Sequence, residues 1–549
     1  MTKKNPHIVI VGAGVTGLAA AYCLERAKQA GVECSYTLLE RDNRTGGKVA
    51  GEVVHDPETG EPYIIDGGPD CFSAMKPGGR RMTTTLGLED DWLPSNDARK
   101  KVYIYRDDKM HELPEGFVMF VPTALGPLFE TDLLSEQGKM DMIREMTVPA
   151  RDWSKTGQSK EGKGAARRDE SLESFIVRRF GQEVLDYVAE PFIGGVHASD
   201  PIDMSLEASF PMYFDLEEKY GSVIKGTVMG QAARKRAAAA KIAAMKASGE
   251  APKKDIWGKT VFASYKQGMH ELTDTMTEHI QDNVRTGVIV DSITRDIDGK
   301  YHLSCLHTDE EKMEGTPSHS AAQGVGSENV DGRGREGYPL SSPEHLTADA
   351  VIIATESFAG AELTKDIDAE IAAAYAGIPN ITSSTISFAF RESDLGPDRN
   401  DGFGVLVPEI EKRDLLAASW SSTKWPGRAP EGRILIRGFA GTPKNQEVMQ
   451  LSDEQLIATV LDELRHVMGL PKDVQPLFAR LYRWTLGMSQ YKMGHLDRVE
   501  TIEDRTAAIR GLACAGGCFR GVGIPNCIDG GEEAARKVLA DFDLEYTGE

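Results

Sequence analysis

The run HIVIVGAGVTGLAAAYCLERA, residues 7–27, constrains this chain more than any other stretch. Apolar residues that suit a buried strand lead into Gly12, Gly14 and Gly17, and an alanine-rich helical pattern follows. G-x-G-x-x-G between a strand and a helix is a dinucleotide signature because each glycine has a separate task. Gly12 permits the tight turn, Gly14 lets backbone approach a pyrophosphate, and Gly17 lets the helix lie close on the strand. The helix N-terminus, with Val15 and Thr16 in its first turn, turns free N–H groups and a positive dipole end toward the phosphates. A second apolar strand, YTLLE, ends at Glu40, roughly twenty residues on, where a carboxylate accepts hydrogen bonds from ribose hydroxyls and repels a 2′-phosphate. The segment therefore reads as a βαβ unit for a dinucleotide other than NADP.

Arg41, Arg44, Gly46, Gly47 and Lys48 follow directly. A second glycine pair among basic residues suits another close approach to the same ligand, and NAD sites do not usually carry it. A chain of 549 residues exceeds one core, so two or three domains are expected. ADAVIIATESF (348–358) and GLACAGGC (511–518) read as further buried strands, the latter followed by a helix. Strand–helix alternation at both ends implies one α/β domain assembled from separated segments. From about residue 128 to 226 helical patterns dominate, and QAARKRAAAAKIAAMKASGE is an alanine-rich helix near 231–246. Its Arg234, Lys235, Arg236, Lys241 and Lys246 make a solvated basic face or a contact for an anionic surface or a partner. Residues 154–170 and 307–347 are polar inserts, the second expected to be flexible.

A net charge of −22 argues against nucleic acid as a partner. No apolar run approaches the ~18 residues of a membrane span. MTKKNPHIVIVGAG passes almost at once into the first strand with no cleavable leader, so the expected location is cytoplasmic, at most peripheral at a membrane. The seven cysteines are scattered and read as reduced thiols.

From Glu40 onward the motif E-x(3)-R-x-G-G, followed by DGGPDCF (66–72), resembles the flavin amine oxidase group. More narrowly, GGPDCFSAMKPGGRRMTTTLGLEDDWL, HELPEGFVMFVPTA, the long block from Asp169 to Gly226 containing FIGGVHASDP and FPMY, and the C-terminal RWTLGMSQYKMGHLDRV and GLACAGGCFRGVGIPNCIDGGEEAA resemble the flavin-dependent porphyrinogen oxidases of haem biosynthesis. The blocks occur in family order and leave out only the inserts and the alanine-rich helix. Three positions depart from the family pattern: Ser489 and Glu356 stand where proline is common, and Gly517 where a small residue such as alanine is more usual.

The resemblance implies an FAD-dependent oxidoreductase that converts protoporphyrinogen IX or coproporphyrinogen III to the porphyrin, a six-electron oxidation. It would proceed by three hydride transfers from meso carbons to flavin N5, with loss of pyrrole protons and with O2 as the acceptor. No general base is nominated. The implied organisation is a Rossmann-like FAD domain (1–80, 255–306, 348–360, 485–549), an α+β substrate domain (81–100, 205–254, 361–484), a helical domain (101–204) and the insert 307–347. The implied FAD contacts are Gly12, Gly14, Val15, Thr16, Gly17, Glu40, Arg41, Arg44, Gly46, Gly47, Lys48, Gly67, Gly68, Pro69, Val290, Trp484, Gly516, Gly521, Val522, Gly523 and Ile524. Lys76 and Arg99 are the candidates for substrate propionates. His495 reads as structural, and Gln490 and Tyr491 as packing near the return to the FAD domain. The resemblance, with the basic alanine-rich helix, implies peripheral contact with a membrane surface, and pathway logic adds transfer to a downstream chelatase. A carotenoid desaturase or amine oxidase would share the N-terminal motifs but not the FIGGVHASDP and FPMY block, whereas a tetrapyrrole carrier would not need the intact dinucleotide motifs.

The stretch CAGGCFRGVGIPNCIDGG, 514–531, has too few close cysteine pairs and no nearby histidine for a zinc site. Its glycines instead leave room for a flat ring, and Pro525 suits the first turn of a helix aimed at that ring.

Overall fold

The computed structural model describes residues 5–155, 158–159, 166–247, 257, 260–307, 343–396 and 401–548. The insert expected at 307–347 lies mostly outside these residues, as does part of the one at 154–170.

The first strand, β1 (His7–Val11), the helix α1 (Val15–Gln29) and the second strand, β2 (Ser35–Leu39), form where the apolar pattern placed them. Three distant segments complete the sheet: β3 (Val284–Arg285), β4 (Ala350–Ile353) and β5 (Leu512–Cys514). The order is β3-β2-β1-β4-β5, with every pairing parallel. A parallel sheet must be covered on both faces, which is why β1 and β4 read as unbroken apolar runs. One face is covered by α1, the helix His270–Ile280 and the C-terminal helix α2 (Ile524–Ala540). The other carries an antiparallel sheet of Val288–Arg295, Tyr301–His307 and Glu344–Ala348. α1 and α2 touch backbone to side chain-free backbone: a Cβ on Gly531 would lie 2.2 Å from the Thr16 carbonyl oxygen.

A seven-stranded sheet forms the second unit. Its long edge strand, Phe478–Ser489, pairs antiparallel with Asn380–Arg391, from Asn380 opposite Ser489 to Ala389 opposite Phe478. The amphipathic helix Asp453–Val467 packs on it, started by a capping box of Ser452 and Gln455. A third unit of helices surrounds Phe120, Phe175, Phe180, Tyr213 and Phe214. Its fully buried Arg179 donates to Glu145 at 2.7 Å and to Glu217 at 2.6 Å, so the charge is paired where burial would otherwise be costly.

Two boundaries differ from expectation. Strands Val102–Arg106 and Lys109–Glu112 belong to the seven-stranded sheet, not to a helical domain starting at residue 101. The helices from Leu206 to Tyr220 and the start of Val223–Ala247 pack on the helical core, through Leu206, Phe210, Tyr213, Phe214, Val223 and Ile224. Those apolar side chains complete a core around Phe175, and that outweighs sequence proximity to the substrate sheet. Val223–Ala247 is longer than its alanine-rich segment, and Ala232–Ala240, with Arg234, Lys235 and Arg236, is exposed on every side. Among the described residues no helix is long and apolar enough to cross a membrane.

Candidate functional site

In the five-stranded sheet the chain leaves β1 for neighbours on opposite sides, β2 and β4, which opens a crevice at the carboxyl ends of the strands. The turn after β1 forms its floor. Gly12 has φ +97°, and a Cβ there would lie 2.7 Å from the Ala354 carbonyl oxygen. A Cβ on Gly17 would lie 1.8 Å from the Gly12 carbonyl oxygen. Both are demanded by the protein itself. Gly14 is not: φ is −70° and no atom lies within 4 Å of where its Cβ would stand. Its missing side chain leaves open space beside the N-terminus of α1, whose first turn holds no acid.

Glu40, buried at the end of β2, accepts from the Ala13 N–H at 2.6 Å and the Asp42 N–H at 3.0 Å. Burial pushes its carboxyl above the usual range, partly offset by those two donors. Beside it, β3 pairs with β2, and the Glu40 N–H donates to the Arg285 carbonyl at 2.9 Å. Val290 lies further along, on Val288–Arg295 in the separate antiparallel sheet. Val284, six residues earlier, is the valine in the parallel sheet itself, on its edge strand β3.

The second glycine turn crosses over the first. Gly46 bridges Gly14, and a Cβ on Gly47 would lie 3.0 Å from the Gly14 Cα. Arg44 folds back on this turn, donating to the carbonyls of Thr45 at 3.0 Å and Gly47 at 2.7 Å. Lys48 leaves the turn toward Glu356, 3.2 Å away, while Arg41 lies beside Asp42.

Facing these, the loop 515–523 joins β5 to α2. Gly516 and Gly521 both have φ +151°. Gly523 is the N-cap of α2, with Ile524 and Pro525 in an acid-free first turn after Val522. A Cβ on Gly523 would meet nothing nearer than Asn526 Oδ1 at 3.5 Å. Tyr491 and His495 hold the loop from behind: Tyr491 donates to the Gly517 carbonyl at 2.6 Å, His495 Nε2 to the Phe519 carbonyl at 2.7 Å, and the two rings stack at 4.0 Å. Burial lowers His495 to about 4, so it is neutral at pH 7. Cys514 and Cys518 are pushed up to about 12, chiefly by burial.

The turn Gly67-Gly68-Pro69 is locked to the seven-stranded sheet. Thr385 at 2.7 Å and the Trp484 indole at 3.0 Å both donate to the Gly67 carbonyl. A Cβ on Gly67 would lie 2.3 Å from the Tyr482 ring, and one on Gly68 1.7 Å from the Lys48 carbonyl oxygen. Behind the turn stands a group that sequence reasoning missed. Asp70 accepts from Lys424 and the Trp425 indole, both at 2.9 Å, and Arg437 donates to the Gly67 and Gly68 carbonyls. Burial would raise Asp70, but Lys424 and Arg437 outweigh it and hold the carboxyl well below the usual range. Asp70 was visible in the quoted DGGPDCF, but no sequence pattern points from it to residues 424, 425 and 437.

Lys76 is held by Asn526 at 2.5 Å, against the first turn of α2. Burial lowers its ammonium from the usual range, with Asp529 opposing. His197, also missed, ends the helix Glu190–His197 with its ring edge-on to Phe210 at 5.5 Å; burial, and then the Lys76 charge, lower it to about 4. The Lys76 charge thus reaches the end of the helical unit. Gln490 reaches it too, donating to the Ala198 carbonyl at 3.2 Å. Arg99 is exposed on the turn Asp97–Arg99, and Lys101 pairs with Asp401 at 2.8 Å at the surface. The residues fit an anionic dinucleotide: two helix N-termini without first-turn acids, open space at Gly14, only ordinary contacts at Gly523, and a buried carboxylate at the end of β2.

Comparison with known proteins is consistent with this geometry. The family described as flavin containing amine oxidoreductase matches residues 15–539. The chain is 28% identical to the coproporphyrinogen III oxidase of Bacillus subtilis over 98% of this chain and 99% of the relative. It is 27% identical to the chloroplastic protoporphyrinogen oxidase of Nicotiana tabacum over 96% of this chain and 85% of that one. A solved protein from Exiguobacterium sp. superposes with a TM-score of 0.73 at 24% identity, covering 98% of this chain and 100% of the other, which shows a shared fold.

Proposed function

The chain belongs to the flavin containing amine oxidoreductase family and is an FAD-dependent oxidoreductase, and on that premise we propose that it oxidises a porphyrinogen to a porphyrin in haem biosynthesis. The observation that carries the reading is the near full-length similarity to curated coproporphyrinogen III and protoporphyrinogen oxidases, which spans the crevice and the helical unit alike.

Residues of the crevice would hold FAD in the order the sheet presents them. The β3 backbone at Val284 would border the adenine, and Glu40 would accept from ribose hydroxyls. Gly14, the α1 N-terminus and Lys48 would receive the pyrophosphate. The turn at Gly67–Gly68 and the loop from Gly516 to Gly523 would flank the isoalloxazine. When bound, FAD supplies a two-electron oxidant, so a porphyrinogen needs three rounds. The protein's own part is to position and enclose. Thr385, Trp484 and Arg437 fix the Gly67–Gly68 turn by its carbonyls, and Asp70 is itself fixed by Lys424 and Trp425. The α2 N-terminus presents a positive dipole end that favours a reduced, anionic ring. Lys76, an exposed lysine whose ammonium rests on Asn526, would exchange that amide for a substrate carboxylate, since a charge-assisted contact is the stronger one. O2 is the proposed electron acceptor.

The test is turnover by the purified yellow enzyme with coproporphyrinogen III and protoporphyrinogen IX, each prepared anaerobically and followed by porphyrin fluorescence. Fluorescence should rise faster than the enzyme-free rate for at least one substrate when air is admitted. The reading fails if both stay at the enzyme-free rate.

A further inference from the structure

Glu356 is one of the three positions where the sequence departs from the family pattern. It stands three residues beyond the end of β4 and is the N-cap of the helix Ser357–Thr364, yet its side chain makes no capping bond. The carboxylate turns into the crevice. About a third of its side chain, 32%, remains accessible. Its strand end is wedged between the two glycine turns: a Cβ on Gly12 would lie 3.3 Å from Thr355 Cγ2, and one on Gly516 would lie 3.2 Å from the Thr355 carbonyl oxygen.

A bare carboxylate here would oppose a pyrophosphate. Lys48 answers it, with Nζ 3.2 Å from Glu356 Oε1. The Lys48 backbone cannot drift, because its carbonyl is pressed against Gly68 and its preceding residue against Gly14. Only the side chain is free to aim, and Glu356 sets its direction. The Lys48 charge, ahead of burial, keeps the Glu356 carboxyl below its usual range, with Arg41 adding to it. The pair crosses the crevice from the β2 side to β4, above the turn that carries Gly14.

We propose that Glu356 is a positioning residue for the dinucleotide, holding the Lys48 ammonium over the pyrophosphate place while Lys48 masks the carboxylate from the phosphates. The two residues therefore act as a unit, and the effect of removing the carboxylate depends on whether the lysine is present. With Lys48 in place, losing Glu356 frees a flexible cation and weakens binding. Without Lys48, Glu356 is an unmasked like charge, and losing it strengthens binding.

The experiment is titration of the flavin-free protein with FAD, read by flavin fluorescence, and with ADP by competition. It compares the native protein with Glu356→Gln, Glu356→Asp, Lys48→Met and the double variant Lys48→Met/Glu356→Gln. Charge-assisted contacts of this kind correspond to roughly tenfold changes or more in affinity. Glu356→Gln should weaken FAD by about threefold to tenfold, and Lys48→Met by about thirtyfold, as expected for a lost contact plus an unmasked charge. Adding Glu356→Gln to Lys48→Met should recover about fivefold, and Glu356→Asp should stay near native. ADP, which keeps the pyrophosphate and lacks the ring, should show the same reversal of sign. Effects of Glu356→Gln that are equal in both backgrounds, or absent, overturn the proposal. A reversal seen with FAD but not ADP overturns the pyrophosphate placement. If Lys48→Met does not fold, Lys48→Gln replaces it in the same cycle. Neither titration uses porphyrinogen, so failure here leaves the substrate reading standing, and failure of that reading leaves this one.

Discussion

The two glycine-rich turns that face each other across the crevice are alike in sequence and unlike in physical cause. In the N-terminal turn Gly12 and Gly17 are imposed by the protein: one has φ +97°, and the other has backbone 1.8 Å from where a Cβ would be. In the C-terminal turn Gly516 and Gly521 likewise hold φ +151°, but Gly523 has an ordinary conformation and ordinary room. Gly14 belongs with Gly523. Glycines that the chain needs in order to fold, and glycines that only a ligand needs, are thus distinguishable before any ligand is seen. Substitution should separate them.

The largest effect is expected at Gly17. Gly17→Ala must push α1 off β1, an overpacking of backbone against Cβ that costs about 3 kcal/mol or more. Soluble yield and thermal unfolding of the flavin-free protein would both drop. A folded Gly17→Ala protein with native melting would mean that the turn is slacker than the 1.8 Å approach implies.

Gly14→Ala and Gly523→Val form the contrasting pair. Gly14→Ala finds open space and a φ of −70° that alanine accepts, so melting of the flavin-free form should not change. FAD affinity should fall about tenfold or more, since the methyl occupies ligand space. Gly523→Val carries a helix N-cap cost of about 1 kcal/mol, its Cβ meets nothing nearer than 3.5 Å, and flavin occupancy and turnover should be lost. Native flavin content in either variant would move the cofactor away from that turn.

The same contrast governs how much was legible in the sequence. The β1–α1 turn could be read because its strand, glycines and helix are adjacent, and periodicity alone distinguishes them. The C-terminal turn was read for its glycines in the same way; of its cysteines Cys518 is buried and Cys514 and Cys527 are half-buried. What escaped is contact between distant residues. Asp70 meets Lys424, Trp425 and Arg437 only after the seven-stranded sheet has formed, and no local pattern encodes that meeting. The helices beyond Leu206 joined the helical core because apolar side chains pack where space is offered, regardless of where a boundary falls along the chain. Val290 was chosen for the adenine, whereas β3, a two-residue strand at Val284–Arg285, is too short to announce itself by alternation. Lys76 was visible; its neighbour His197, on a helix more than a hundred residues away, was not.

The smallest effect concerns how the C-terminal turn is held, and it appears as a pH dependence. His495 is 1% exposed, donates through Nε2 to the Phe519 carbonyl, and leaves Nδ1 without a hydrogen-bond partner. Its folded value, lowered by burial to about 4, lies below the ~6.5 of an unfolded histidine. The unfolded chain therefore binds a proton that the folded chain refuses. The stabilising contribution is complete above about pH 6.5 and declines as the pH falls toward 4, at up to about 1.4 kcal/mol per pH unit. His495→Gln keeps an N–H donor and cannot titrate. The urea midpoint of the flavin-free native protein should fall more between pH 7 and pH 5 than that of the variant. His197, lowered in the same direction, contributes to both proteins and cancels in the comparison. Equal pH slopes would show that His495 is not held neutral, and that the Phe519 carbonyl, with the flavin-facing loop it anchors, is fixed by Tyr491 on Gly517 instead.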